Sequence, residues 1–120
     1  MWTYRQSTGA LLHEGTQVAT GYSGNGECKN CCDKQDVQQH GPIPQGHYTI
    51  GPSFKDPHKG PIVMHLIPDP ANQMFGRSGF LIHGDAIADP GSASEGCIIL
   101  GPAMRTKIAA SPDRTLEVIA

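Results

Sequence analysis

Short apolar runs, each closed by glycine, proline or a small polar cluster, set the rhythm of this chain. Residues 2–5 alternate and predict a strand; Ser7-Thr8-Gly9 predicts a turn, with Ala10–His13 returning as the hairpin partner. Gln17 to Tyr22 predicts a further strand, ended by Ser23-Gly24-Asn25-Gly26. From there to Gln39 the chain is polar, has few apolar anchors, and reads as a long loop of the kind that often serves function. In Gly41-Pro42-Ile43-Pro44-Gln45-Gly46 the prolines hold an extended backbone and Gly46 permits a turn into a strand over His47–Ile50. Ile62–Ile67 is apolar apart from His65 and predicts a buried strand with that histidine in the core. A loop over Asn72–Ser78 carries Arg77, and Gly79–His83 predicts the next strand. Asp89–Ser94 predicts the turn that delivers Cys97. After Ile98-Ile99-Leu100, Gly101-Pro102 places proline at a helix start, and Ala103–Ala110 is the best helix candidate, stopped near Ser111-Pro112. Thr115–Ile119 predicts a last strand.

One hundred and twenty residues suit one domain, and 15 glycines with 10 prolines point to a turn-rich, mostly β chain of the α+β class. A formal charge of −2 with scattered Lys and Arg gives no basic stripe, which argues against a nucleic-acid partner. No apolar run approaches membrane-spanning length. Met1–Ser7 lacks the apolar core of a signal peptide, which leaves cytosolic retention, export by another machine, or a trimmed start.

The chemistry concentrates in two segments. Cys97 stands in Ser94-Glu95-Gly96-Cys97-Ile98-Ile99-Leu100, fourteen residues after His83 in Ile82-His83-Gly84-Asp85. A thiol behind a glycine, with a histidine at the end of the preceding apolar run, is the minimum for acyl transfer through a thioester. A buried structural cysteine beside a strand-end histidine fits the same spacing. The other cysteines crowd into Cys28-Lys29-Asn30-Cys31-Cys32. They read as an ordinary polar loop, as a local disulfide of Cys28 with Cys31 or Cys32, or as a metal site completed by His40 or Asp33.

Gly-Pro-Ile-Pro-x-Gly-x-Tyr at 41–48, Phe-Gly-Arg-Ser-Gly-Phe-Leu-Ile-His-Gly-Asp at 75–85 and Ala-Ser-x-Gly-Cys-Ile at 93–98 resemble the L,D-transpeptidase catalytic domain of the YkuD type. More narrowly, they are similar to its small branch that includes type VI secretion effectors attacking peptidoglycan. The resemblance spans roughly residues 2–119, and His…Ser-x-Gly-Cys is its specific element. Where the wider family usually has histidine before Gly-Cys, this chain has Glu95, and Ile98, Ile99 and Leu100 stand where an arginine is usual. Both departures point to the specialised branch.

The resemblance implies a single catalytic domain over 1–120, a β-sandwich or barrel with one short helix after the cysteine, and no cofactor or metal. It implies Cys97 as nucleophile, His83 as base, the Gly84 carbonyl orienting that histidine, and backbone N–H groups of Gly96 and Cys97 facing the oxyanion. A side chain at position 96 would crowd the incoming carbonyl. The implied substrate is the peptidoglycan stem tetrapeptide, attacked at the carbonyl of its third residue, diaminopimelate, so that the fourth, D-alanine, leaves. Water as acceptor gives L,D-carboxypeptidase activity, a D-amino acid gives exchange, and a second stem amine gives a crosslink; the short chain favours trimming and exchange. Arg77 is a candidate for holding a stem-peptide carboxylate, against a plain surface arginine. Ser94 either donates to a substrate carbonyl or steadies the turn, and Tyr48 either lines the groove or only fills a strand. Glu95 is expected to point to solvent or to bind an acceptor amine, and Asp85 reads as a turn residue more than as a partner of His83. His58 gains no role. As a toxin the protein would act in the bacterial periplasm, delivered without a signal peptide, with an immunity protein as partner. The alternative from another class is a peptidoglycan-binding module of the same fold that no longer turns over.

Overall fold

The computed structural model describes residues 1–120. In chain order the strands are β1 (Trp2–Arg5), β2 (Ala10–His13), β3 (Thr16–Thr20), β4 (Tyr22–Ser23), β5 (Gly46–Ile50), β6 (Phe54–Asp56), β7 (Gly60–Pro68), β8 (Leu81–His83), β9 (Ile98–Ile99) and β10 (Thr115–Ile119). One helix, α1 (Pro102–Ala110), follows β9 with Pro102 in its first turn, where the missing N–H costs nothing.

The alternation at the start of the chain does what it predicts. Trp2 and Tyr4 of β1 are buried while Thr3 and Arg5 face outward. β1 pairs antiparallel with β2, and β10 lies parallel to β1 on its other edge, Trp2 opposite Leu116 and Tyr4 opposite Val118. The sheet continues through β5, β7, β8 and β9 to β4, with β6 folded as a hairpin onto β7. The strands at the two ends of this order, β3 and β4, are consecutive in the chain and separated by Gly21 alone. The sheet therefore curls until its edges nearly meet. The result is a mostly β domain, a nearly closed barrel with one short helix.

Inside it, Trp2, Tyr4, Leu11, Ile43, Met64, Ile82, Ile98, Ile108 and Leu116 belong to one continuous apolar core. Burying a side chain of this size fully contributes about 1.5–3 kcal/mol relative to exposure.

Three local readings change. The strand expected over 17–22 is broken at Gly21, where the barrel turns its corner. Gly79 has φ +79°, a left-handed turn conformation, and the strand begins at Leu81 rather than at residue 79. His65 is not a core residue. It lies on the outward face of β7 between buried Met64 and Leu66, exposed and stacked on Phe54 at 4.8 Å between ring centres. The period of two, not the apolar run, decides its side.

The polar stretch after β4 is ordered as two short 3-10 turns, Gly26–Cys28 and Cys32–Lys34. Asn25 ties it down, its Nδ2 donating to the carbonyls of Gln39 and Ser94, both at 2.8 Å.

Candidate functional site

β8 and β9 run parallel with Ile82 opposite Ile98 and His83 opposite Ile99. Ile82 and Ile98 point into the core. Neighbouring residues on a strand point the opposite way, so His83 and Cys97 both face the outside of the barrel. Cys97 continues the register beside Leu81, whose N–H donates to its Sγ at 3.3 Å. His83 is thus one strand across and two residues along from Cys97, about 8 Å between Cα atoms by strand geometry. No hydrogen bond joins the thiol to the imidazole in this state.

His83 is 3 % exposed, and its Nδ1 lies 2.8 Å from the carbonyl oxygen of Gly84. That carbonyl can only accept, so Nδ1 carries the proton and Nε2 keeps the lone pair. Burial pushes the His83 pKa below its ordinary value, only partly opposed by the Gly84 carbonyl, with Lys59 and Arg105 adding to the lowering. Burial pushes the Cys97 thiol up, against the smaller pull of the Leu81 N–H and the Lys59 charge. At neutral pH the resting pair is therefore a thiol facing a neutral imidazole, not an ion pair.

The Gly96–Cys97 turn is built by residues distant in sequence. Gly96 has φ +135°, and a Cβ there would fall 2.6 Å from Nη2 of Arg77 and 2.7 Å from the Phe80 ring. The glycine is required by its own protein neighbours before any ligand is considered, which replaces the expectation that a side chain would crowd a substrate carbonyl. The Gly96 N–H donates to Ser94 Oγ at 3.1 Å and is not free to meet an oxyanion. The N–H of Cys97 makes no hydrogen bond within the protein.

Ser94 is fully buried, and its hydroxyl donates to the Cys97 carbonyl while accepting from Gly24 and Gly96. With one donor and both acceptor positions spent, it steadies the turn and has nothing left for a substrate. Arg77 is 6 % exposed and is no surface arginine. Nη1 donates to the carbonyls of Gln35 and Pro42, and Nη2 to those of Gly41 and Glu95, at 2.6–3.1 Å. Both terminal nitrogens are saturated, so the expected carboxylate clamp gives way to a staple joining three loops. Tyr48 is buried in the core with its hydroxyl donating to Pro44, and it is not part of the cleft at Cys97. Asp85 accepts from Tyr22, Ala86 and Gly91 and makes a turn.

Cys97 opens into a cleft of about 420 Å³ walled by Gln38 and Gln39 of the polar loop, by Gly76–Phe80, and by exposed Glu95 and Lys59. A larger cavity of about 830 Å³ lies on the His83 side, against Gly84, Ile99 and Arg105, and Lys59 lines both spaces. Cys28, Cys31 and Cys32 lie apart from both cavities as free, partly exposed thiols with no disulfide among them. The side chains that come close enough to share a metal are His13, Glu14 and Asp113, so the site imagined on the three cysteines is not assembled.

A family model described as the Tlde1 domain matches residues 17–116. The chain belongs to the Tlde1 family. This is a type VI secretion effector family, and the matched segment includes both cavities, Cys97 and His83. No curated protein matches the chain. For this Tlde1 domain, sequence reading missed Lys59 and Arg105, which bring positive charge to the His83 side. Nothing in Asp56-Pro57-His58-Lys59-Gly60 distinguishes it from an ordinary hairpin turn, and Arg105 reads as a routine helix residue.

Proposed function

We propose that this Tlde1 domain is a cysteine acyltransferase of the L,D-transpeptidase kind that removes or exchanges the terminal D-alanine of peptidoglycan stem tetrapeptides. The observation that carries the reading is the shared outer face of β8 and β9, which holds Cys97, open to its cleft, and His83, whose Nε2 has no partner in the protein.

In the proposed reaction His83 Nε2 takes the Cys97 proton as the sulfur bonds to the diaminopimelate carbonyl carbon. The tetrahedral oxyanion is met by the Cys97 N–H. Collapse breaks the C–N bond, and the imidazolium gives the same proton to the leaving amine. Water or a D-amino acid then attacks the thioester, His83 takes its proton, and the C–S bond breaks. The thiolate recovers that proton from His83. Because the thiol is raised and the histidine lowered, proton transfer accompanies attack. General base help of this kind is worth about 10²–10⁴ in rate. As an effector, the domain would act in the target periplasm, and an immunity protein that plugs the Cys97 cleft would protect the producer.

Mass spectrometry of disaccharide-tetrapeptide incubated with wild type and Cys97→Ala tests the reading, with and without an added D-amino acid. Cysteine-dependent loss or replacement of D-alanine is the expected result. Unchanged muropeptides from folded, reduced protein would overturn it. The separation of the thiol and imidazole in the resting state favours one second reading, a peptidoglycan-binding module, for which binding survives Cys97→Ala and no thioester forms.

A further inference from the structure

The larger cavity holds an arginine whose hydrogen bonds are incomplete. Arg105 of α1 is 7 % exposed. Its Nε donates to the Leu100 carbonyl at 3.0 Å, and Nη1 donates to those of Pro61 and Ile62 at 2.8 and 3.3 Å. Nη2, with two N–H groups, has no partner in the protein. It packs directly on Gly84, where a Cβ would fall 2.7 Å away. The guanidinium is thus clamped on three carbonyls while one edge meets the cavity beside the residue that follows His83.

The carbonyl clamp itself is made at a cost. Ile62, a β-branched residue, has φ +59°, a left-handed conformation that such side chains rarely adopt. This kink brings two successive carbonyls, Pro61 and Ile62, onto one guanidinium nitrogen. Asp56 Oδ1 accepts the N–H groups of His58 and Lys59 at 2.8 and 2.9 Å and shapes the hairpin that carries Lys59. The charged side chains lining the space are Lys59, Arg105 and Asp85, with His58 titratable, and Asp85 is already committed to Tyr22, Ala86 and Gly91. The free potential is cationic.

We propose that this cavity is the carboxylate-binding site for the leaving D-amino acid and, after it departs, for the D-amino acid that replaces it. This rests on the acyl-transfer reading. A histidine that must protonate the leaving amine requires that group on its own side of the thiol, which is the side of Gly84 and Arg105. A carboxylate one carbon beyond that nitrogen then meets Arg105 Nη2, with Lys59 as the second cation. At about 830 Å³ the space far exceeds one alanine, so acceptors with long side chains fit while their carboxylates stay at the same place.

The test compares disaccharide-tetrapeptide with the same compound ending in D-alaninamide, using wild type, Lys59→Met and Arg105→Lys. Losing one charge-assisted partner is expected to lower wild-type kcat/KM on the amide roughly ten- to hundredfold. Lys59→Met, on an exposed turn, should narrow the acid-to-amide ratio about two- to fivefold. The ratio cancels any general effect of its charge on Cys97 and His83. Arg105→Lys should narrow it further if its melting curve shows it folded. Binding of both compounds to Cys97→Ala, measured by calorimetry, reads the site without turnover. Equal wild-type rates and equal binding for acid and amide overturn the carboxylate site. Preferential binding of the acid, weakened by Lys59→Met, with no turnover of either compound overturns the acyl-transfer reading and leaves the carboxylate site standing.

Discussion

The hydroxyl of Ser94 donates to the carbonyl oxygen of Cys97 at 2.6 Å, closing the turn that presents the thiol. Ser94 Oγ itself accepts the N–H groups of Gly24 and Gly96, so one buried side chain satisfies three backbone groups. Ser94→Ala strands all three, at about 1–3 kcal/mol for each group that water does not reach. We expect denaturant unfolding to show a loss of at least about 2 kcal/mol. Under the proposed acyl transfer, turnover should fall mainly in kcat, because Ser94 would position Cys97 and has no hydrogen-bonding capacity left for substrate. A variant with unchanged stability and a raised KM would restore the substrate-contact role.

Arg77 separates two readings in the same way. A carboxylate clamp predicts that Arg77→Met raises KM and leaves the fold intact. Four donated hydrogen bonds to the carbonyls of Gln35, Gly41, Pro42 and Glu95 predict the opposite. Losing them exposes the junction of the polar loop, the Gly-Pro segment and the Cys97 turn. Bonds from a charged donor contribute about 1.5–3 kcal/mol each at best and are not additive here, so a total loss of about 3 kcal/mol is expected. Chemical denaturation alongside steady-state kinetics decides it, and Arg77→Lys should recover only part of the stability because an ammonium cannot span four acceptors.

These two residues also show what the sequence could and could not disclose. The strands of the barrel were legible because burial on one face imposes a period of two, as with Trp2 and Tyr4. The helix was legible because Pro102 marks its start. Cys97 and His83 stood out because the segments bearing them are short, apolar and glycine-bounded. What Arg77, Ser94 and Gly96 do was not legible, since their partners lie many residues away in loops without periodicity. Arg105 was hidden for a related reason. Its three carbonyl partners come from Leu100 and, some forty residues earlier, from Pro61 and Ile62, which no local pattern in the helix signals.

Tyr4 offers a test of the core that is independent of function. Its side chain is fully buried and its hydroxyl has no hydrogen-bond partner, and burial pushes its pKa well above the usual phenol range. An unsatisfied buried hydroxyl is a liability that removal relieves, since the ring keeps its packing. Tyr4→Phe should therefore stabilise the domain by about 1 kcal/mol and raise its melting temperature by several degrees, read by calorimetry. A destabilised variant would mean that the hydroxyl has a partner in solution.

The protonation state of the resting pair makes the last prediction. Cys97 is raised by burial and His83 is lowered by burial, so between the two pKa values both groups are neutral. Peptide-resolved alkylation by iodoacetamide distinguishes Cys97 from Cys28, Cys31 and Cys32. Its rate at Cys97 should keep climbing above pH about 8.5, the ordinary thiol value, with no plateau near neutrality. The acid limb of kcat/KM has the opposite origin. As pH falls through the lowered pKa of His83, the imidazole gains a proton and ceases to be a base, so activity should persist below pH about 6.5 before it drops. His83→Gln should remove that limb together with about 10²–10⁴ of the rate, while leaving Cys97 alkylation at high pH largely intact. An alkylation plateau at or below pH 7, abolished by His83→Gln, would instead establish a preformed thiolate–imidazolium pair and require the two side chains to meet in the resting state.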